Sequence, residues 1–329
     1  IVLNHSRMLL REAVESFGDL LLGAETMREQ GGWNVLCKFF DNMGPLPHHM
    51  HQTDEHAARV GARGKPESYY YPPQYNQALN SFPYTFMGLN PGTTKDDIRG
   101  CLERWNEGDN GILYHSRAYK LRPGTGWDIP AGVLHAPGSL VTYEPQLNSD
   151  VFAMFQSLCD DRPVPRDLLV RNVPPELHDD LDYIVGMLDW DGNLDPDFAI
   201  KRFMEPVPAR DESEMAECGY CEKWISYRTR LFSAKELTIL PGRTAVIRDA
   251  AAYGAVVVQG YGRFGALEVE TPSLIRYGRM TRDELFVTAA AAAAGVPVRN
   301  ASCTEPLVIL KHFGPGNPEA GPLAGHPAP

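Results

Sequence analysis

From Trp33 to Phe313 the chain is written in short apolar runs, such as NVLCKFF, ESYYY and YTFMGL, separated by clusters of glycine, proline, asparagine and aspartate. Such runs are too short for ordinary amphipathic helices and their punctuation marks turns, so the sequence predicts a mainly β, many-stranded protein. A few helical exceptions stand out. Between Ser6 and Gln30, apolar residues at Met8, Leu9, Ala13, Phe17, Leu20 and Leu21 recur at helical spacing until Gly31-Gly32, which predicts an N-terminal helical segment. Shorter helices are expected from Thr94 to Trp105 and from Pro175 to Leu188, the latter with Leu177, Leu181, Ile184 and Leu188 on one face.

A chain of 329 residues is long enough for two globular units. The stretch from Asp160 to Pro175, with Pro163, Pro165, Pro174 and Pro175, reads as a connection between them. The expected organisation is a helical segment over 1–32, a β-domain over 33–159, a linker with short helices over 160–212, a second β-domain over 213–313 and an unordered tail over 314–329. Lys and Arg number 31 against 42 Asp and Glu, a net charge of −11, so nucleic acid and anionic membranes are not expected partners. The apolar runs Leu20–Leu22 and Ala289–Ala294 fall well short of the ~18–20 residues of a membrane span. Six irregularly spaced cysteines read as free thiols in a reducing compartment, which makes the cytoplasm the expected location. The chain opens at Ile1 rather than at methionine, so native residues or a removed leader are expected to be missing.

Pro45 to Glu67 is the part of the chain densest in potential metal ligands. On a strand, His49 and His51 lie two residues apart and present both imidazoles to one side while Met50 packs on the other. Glu67 and His135 would complete a nitrogen–oxygen donor set if their strands lie opposite, leaving His48 and His56 outside it. Gly124 to His135, GTGWDIPAGVLH, matches the pattern GX5PXGX2H at every fixed position, and its glycine and proline shape turns that return the histidine towards the HxH strand. These segments resemble, in order, the two motifs of the cupin superfamily. The resemblance implies two jelly-roll β-barrel domains, the first holding one divalent metal, with zinc expected first and manganese, iron or nickel as alternatives.

Five segments from about Leu9 to Asp150 narrow the resemblance to the type I mannose-6-phosphate isomerases, especially their shorter bacterial branch. They are the lysine–aspartate strand Cys37-Lys38-Phe39-Phe40-Asp41 with the metal segment His49-Met50-His51-Gln52, Lys65-Pro66-Glu67, Gly88 to Thr94, Ile129 to His135, and Glu144 to Asp150. In the metal segment His49 replaces the family glutamine and Gln52 its proline, and Met154 stands where the family carries an arginine. Because methionine cannot make an arginine's charge-assisted hydrogen bonds, that departure bears on the substrate more than on the metal. The resemblance implies an aldose–ketose isomerase of a hexose or hexose phosphate working through a cis-enediol. Glu144 is then the expected base or proton shuttle and Lys65 the group holding a sugar oxygen. Arg117, Lys120 and Arg202 are the other cations considered for a phosphate. The alternatives are a non-catalytic metal-containing carbohydrate sensor and a cupin oxygenase using the same three histidines and glutamate.

Other signals carry less. Gly260 to Gly265 matches GxGxxG, but its flanks AVVVQ and ALEVE are strand-like, so a hairpin is expected rather than a dinucleotide site. Cys218-Gly219-Tyr220-Cys221 is a lone CxxC read as free thiols. Asp189 to Asp197 alternates like a calcium loop but has Leu194 and Ile200 at the glycine and glutamate positions, so a turn leading into a short helix is expected. The second β-block lacks an HxH and carries alanines over Asp283 to Gly295, so it is expected to bind no metal.

Overall fold

The computed structural model describes residues 2–3, 6–42, 44–274 and 280–319. Among these the protein is mainly β, with short helices, and no helix is long and apolar enough to cross a membrane. The chain divides into two units, one made of 36–204 and the other of the described residues of 1–35 and 205–319. The boundary therefore falls at Met204/Glu205 and not at the proline-rich stretch, and the N-terminal helices are part of the second unit. Proline and charge mimic a linker at 160–175, but the segment is packed: the Trp105 indole donates to the Val164 carbonyl at 3.2 Å, and Leu169, Val170 and Val173 are buried.

The 36–204 unit holds two five-stranded sheets. One carries, in order, Phe203–Met204, Gly126–Ile129, Glu67–Tyr70, Thr142–Leu147 and Val35–Phe40; the other Ala153–Met154, His49–Met50, His135–Ala136, Tyr84–Leu89 and Ser116–Lys120. Tyr69, Tyr71, Met87, Trp127, Ile129 and Val133 form one apolar cluster. Met50, Leu89, Leu134 and Phe155 form another with Ile98 and Leu102 of helix Lys95–Glu103 and with Ile184 of helix Leu181–Gly186. Helix Lys95–Glu103 begins where the sequence predicts, because Thr94 and Asp97 make a reciprocal capping box. The single helix expected from Pro175 to Leu188 is instead a 3-10 turn, Pro175–Leu177, and the helix Leu181–Gly186, whose Asp180 side chain accepts from the Tyr183 N–H. The periodicity still tells the buried face, since Ile184 and Leu188 are buried and Leu177 and Leu181 pack on the same cluster. Asp189 caps the short helix Trp190–Leu194, and Phe198–Arg202 follows as the expected helix.

The other unit has a six-stranded sheet, with strand order Val207–Pro208, Tyr220–Ser226, Ser233–Ile239, Leu307–Phe313, Tyr253–Gln259 and Glu284–Val287, and a four-stranded one. The N-terminal segment forms Leu10–Leu22 and Ala24–Gln30, broken at Gly23, whose φ of 93° suits glycine. Val14 and Leu22 pack with Ala252, Trp33 and Phe286. The GxGxxG segment is the strand Tyr261–Phe264, joined to Leu267–Glu270 by a hairpin turn with no helix after it. The alanine run is the helix Ala289–Ala294, capped by Thr288. The tail departs from expectation as far as Glu319: Asn317 is buried and donates to Ser233 Oγ at 3.2 Å, and only 320–329 lie outside the described residues.

Polar groups replace apolar ones in part of this unit's interior. Lys235, Lys311, Glu222 and Asp249 are all essentially buried, with Asp249 2.9 Å from Lys235 and 2.6 Å from Lys311, and with Lys311 in contact with Glu222. Neutralising Asp249 would remove the one carboxylate that bonds both ammonium groups in a medium of low dielectric. Asp249→Asn is therefore expected to lower the unfolding free energy by about 3–5 kcal/mol in a denaturant titration.

Candidate metal centre

His49 lies directly opposite His135 in the antiparallel pair formed by their strands, so both side chains stand on one face, with ring centroids 4.2 Å apart. His51 joins them two residues on, while Met50 between them is buried on the apolar side. The turn before His135 depends on Gly132, which has φ 84° and where a Cβ would come within 2.9 Å of Asp189 Cβ and 3.0 Å of its N. A side chain there is excluded twice over, by sterics and by backbone conformation.

Each of the three rings uses Nδ1 on a backbone carbonyl: His49 on Pro47 at 2.7 Å, His51 on Val151 at 2.8 Å and His135 on Val133 at 2.9 Å. A carbonyl only accepts, so Nδ1 carries the proton and Nε2 keeps a bare lone pair. One donor atom from each ring lies within 4.8 Å of the other two. Glu67, buried, brings Oε2 to 2.9 Å from His51 Nε2 and Oε1 to 3.0 Å from His135 Nε2. In that tautomer lone pairs face lone pairs, and neither carboxylate oxygen nor His135 Nε2 has a hydrogen-bond partner. A cation shared among the four groups would satisfy these lone pairs, and three nitrogens with one carboxylate suit a borderline-soft divalent ion. The residues present therefore fit the metal the motifs imply.

Burial favours the neutral rings. It pushes His51 down to about 4, with Lys65 adding to it and Glu67 opposing, and it holds His49 well below the usual histidine range with help from His135 and His51. The Glu67 carboxyl is held well below the usual carboxylate range despite its burial, because His51 and Lys65 lie beside it.

Next to these donors sits a second layer. Lys65 Nζ is 3.2 Å from Glu67 Oε2, 3.2 Å from His51 Nε2 and 3.9 Å from Glu144 Oε1. Glu144, on the strand Thr142–Leu147 and buried, is also 3.0 Å from Lys38 Nζ. Its carboxyl is pushed up to about 8 by burial and then by the charge of Glu67, against the opposing pull of the two lysines. Six expected residues, His49, His51, Glu67, His135, Lys65 and Glu144, are thus gathered in one place. The sequence places Lys38 in a strand and gives it no role. Its signal was a lone charge in the apolar run Val35–Phe40, and its partner could not be known before the pairing of that strand.

The remaining candidates lie elsewhere. His48 bonds Ser116 Oγ through Nε2 at 2.7 Å, and His56 meets the Tyr183 hydroxyl at 3.3 Å. Arg117 donates to the carbonyls of Asp195 and Asn193 at 2.5 and 2.6 Å, Arg202 pairs with Asp128 at 2.7 Å, and Lys120 is exposed. Met154 lies opposite His49 in the strand register.

No family model matches the sequence, and no curated protein matches it significantly. Solved structures do match. A mannose 6-phosphate isomerase from Bacillus subtilis superposes with a TM-score of 0.63 at 16% identity, covering 94% of this chain and 83% of that one. A putative mannosephosphate isomerase from Archaeoglobus fulgidus gives 0.64 at 15% identity, covering 95% and 82%. A variant of phosphomannose isomerase from Salmonella typhimurium gives 0.62 at 14% identity, covering 96% and 87%. The fold is that of the cupin-type mannose-6-phosphate isomerases. A further neighbour, with a TM-score of 0.59 at 14% identity, is a mannose 6-phosphate isomerase bound with zinc and yttrium.

Two outcomes follow for the metal. Elemental analysis of purified protein should find one divalent ion per chain, and His51→Ala combined with His135→Ala should remove it, since the remaining donors cannot fill a four-coordinate shell. Acid should release the ion late. Protons compete for a ring only below its own pKa, so with His51 near 4 the ion should stay bound at about pH 5.5, below the ordinary histidine value, and leave only as pH falls below about 4 in a dialysis series.

Proposed function

We propose that this chain is a metal-dependent aldose–ketose isomerase of a hexose or hexose phosphate, working through a cis-enediol. The observation that carries the reading is the buried Glu144 carboxyl, bracketed by Lys38 and Lys65 and adjoining the three-histidine, one-glutamate set. Moving a proton between adjacent carbons needs a base beside them and an electrophile for the developing oxyanion. His49, His51, Glu67 and His135 would hold the ion, which when bound supplies a Lewis acid for that oxygen. Glu144 takes the proton from one carbon and returns it to the other. Lys65 donates to a sugar oxygen, and Lys38 fixes the orientation of Glu144. A carboxyl near 8 is matched to proton transfer at neutral pH, where it is available in both states.

The substrate class follows from where the cations lie. Lys65 and Lys38 already face carboxylates, and Arg117 and Arg202 are bound to other partners. That is poor provision for a dianionic phosphate, which calls for charge-assisted, preferably bidentate donors. A second reading rests on His49. A third histidine gives the set that the cupin oxygenases also use, and consumption of dioxygen by the iron-loaded protein would favour that chemistry.

The proposal is tested with a panel of aldoses and their phosphates in deuterium oxide. Isomerisation with deuterium incorporated at C1 of the ketose is expected, and the absence of isomerisation for every sugar would remove the isomerase reading. Glu144→Gln should keep the metal and lose roughly 10²–10⁴-fold in kcat. In the wild type the ionised carboxylate grows as pH rises through about 8, so kcat/KM should climb over that range, and the climb should vanish in the variant. Mannose 6-phosphate should be converted little faster than mannose. Met154→Arg, placed opposite His49, should raise the ratio of the two rates.

A further inference from the structure

The six-stranded sheet of the 205–319 block sets two lysines side by side. Lys235 and Lys311 are direct cross-strand partners, with Trp224 opposite Lys235 on the next strand and Ala255 opposite Lys311 on the other side. Like charges so placed repel unless anions lie between them. Asp249 bonds both, and Glu222 contacts Lys311 and lies 3.7 Å from Lys235. Two ammonium groups and two carboxylates already balance, with the side chains of all four at 2% exposure or less.

Glu319 is a third carboxylate that this balance does not require. Its Oε2 lies 2.9 Å from Lys235 Nζ, and its side chain, unlike those of the other four, is 36% exposed. It arrives on the segment Gly314–Glu319, held near that end by Asn317, which donates to Ser233 Oγ and accepts from the Glu319 N–H. The Lys235 ammonium has three donors, and one of them is satisfied by a group that reaches solvent. Apolar walls flank the same ammonium: it lies 4.4 Å from the Trp224 ring centroid and 5.4 Å from that of Phe313. The interior also holds an unsatisfied polar group, since the buried Tyr253 hydroxyl has no hydrogen-bond partner among the described residues while its ring lies 4.9 Å from Lys311 Nζ.

We propose that Lys235 anchors a binding site for a small monocarboxylate, and that Glu319 fills it as an internal ligand. A monoanion reproduces the charge Glu319 brings, whereas a phosphate dianion would add twice that charge to a cluster that is already neutral. Glu319, being tethered, competes at an effective concentration in the millimolar range, so free ligand binds measurably only when the tethered carboxylate is gone or outnumbered.

The test is the full-length protein titrated with acetate and then propionate by calorimetry, at constant ionic strength against chloride. Glu319→Ala should bind acetate about ten-fold more tightly than the wild type, because the internal competitor is removed. Propionate should show the same preference for the variant, and chloride should not compete. Equal affinity in the two proteins, no binding to the variant, or equal competition by chloride would overturn the proposal. A measurement on the wild type needs no variant: saturating acetate should speed amide hydrogen exchange at Asn317 and Glu319, and unchanged exchange would count against an internal ligand.

Discussion

The candidate site depends on three hydrogen bonds that never touch a ligand. Pro47, Val151 and Val133 each offer a carbonyl to the Nδ1 of one histidine, and in doing so choose the tautomer of all three rings. If any ring flipped, its lone pair would turn from the common centre. The carbonyls are themselves fixed by the backbone that bears the rings: Pro47 and Val133 lie two residues before their histidines, and Val151 belongs to the segment leading into the strand beside His49. The strand register thus places the rings and aims their nitrogens at once.

How much of this could be read in the sequence differs by residue. His49 and His51 were legible because a two-residue period on a strand is local, and His135 because a glycine and a proline at fixed offsets make a turn whatever surrounds it. Glu67 was legible by resemblance. Lys38 was not, since its role comes from the pairing of its strand with Thr142–Leu147, about a hundred positions further along the chain. The division into units failed for a similar reason. Proline and charge between Asp160 and Pro175 mark irregular backbone, and irregular backbone can cover a core as well as join two of them. Val164, Leu169 and Val173 show the first case. The expectation of a loose tail rested on glycine and proline content, and Asn317 and Glu319 are tied by side-chain bonds that composition does not register.

The two units meet one problem of β-structure with different means. A sheet whose face carries charge must neutralise it out of reach of water. In the 36–204 unit Glu67 and Glu144 are met by lysines and by a donor set suited to an ion. In the other unit Lys235 and Lys311 are met by carboxylates from the chain itself. The first solution leaves lone pairs unspent, which is the condition for chemistry. The second uses nearly all of them, which gives rigidity.

The N-terminal helix also has a temporal consequence. Val14 and Leu22 are synthesised well before Ala252 and Phe286, on which they pack and which come more than two hundred residues later. At about 5–20 residues per second, an interval of this order leaves the apolar side of the helix without its partner for roughly 10–50 s. The helix is too short to be stable alone over that time. This helix is therefore made early and enclosed late, and during translation its apolar side is a stretch that a chaperone would meet.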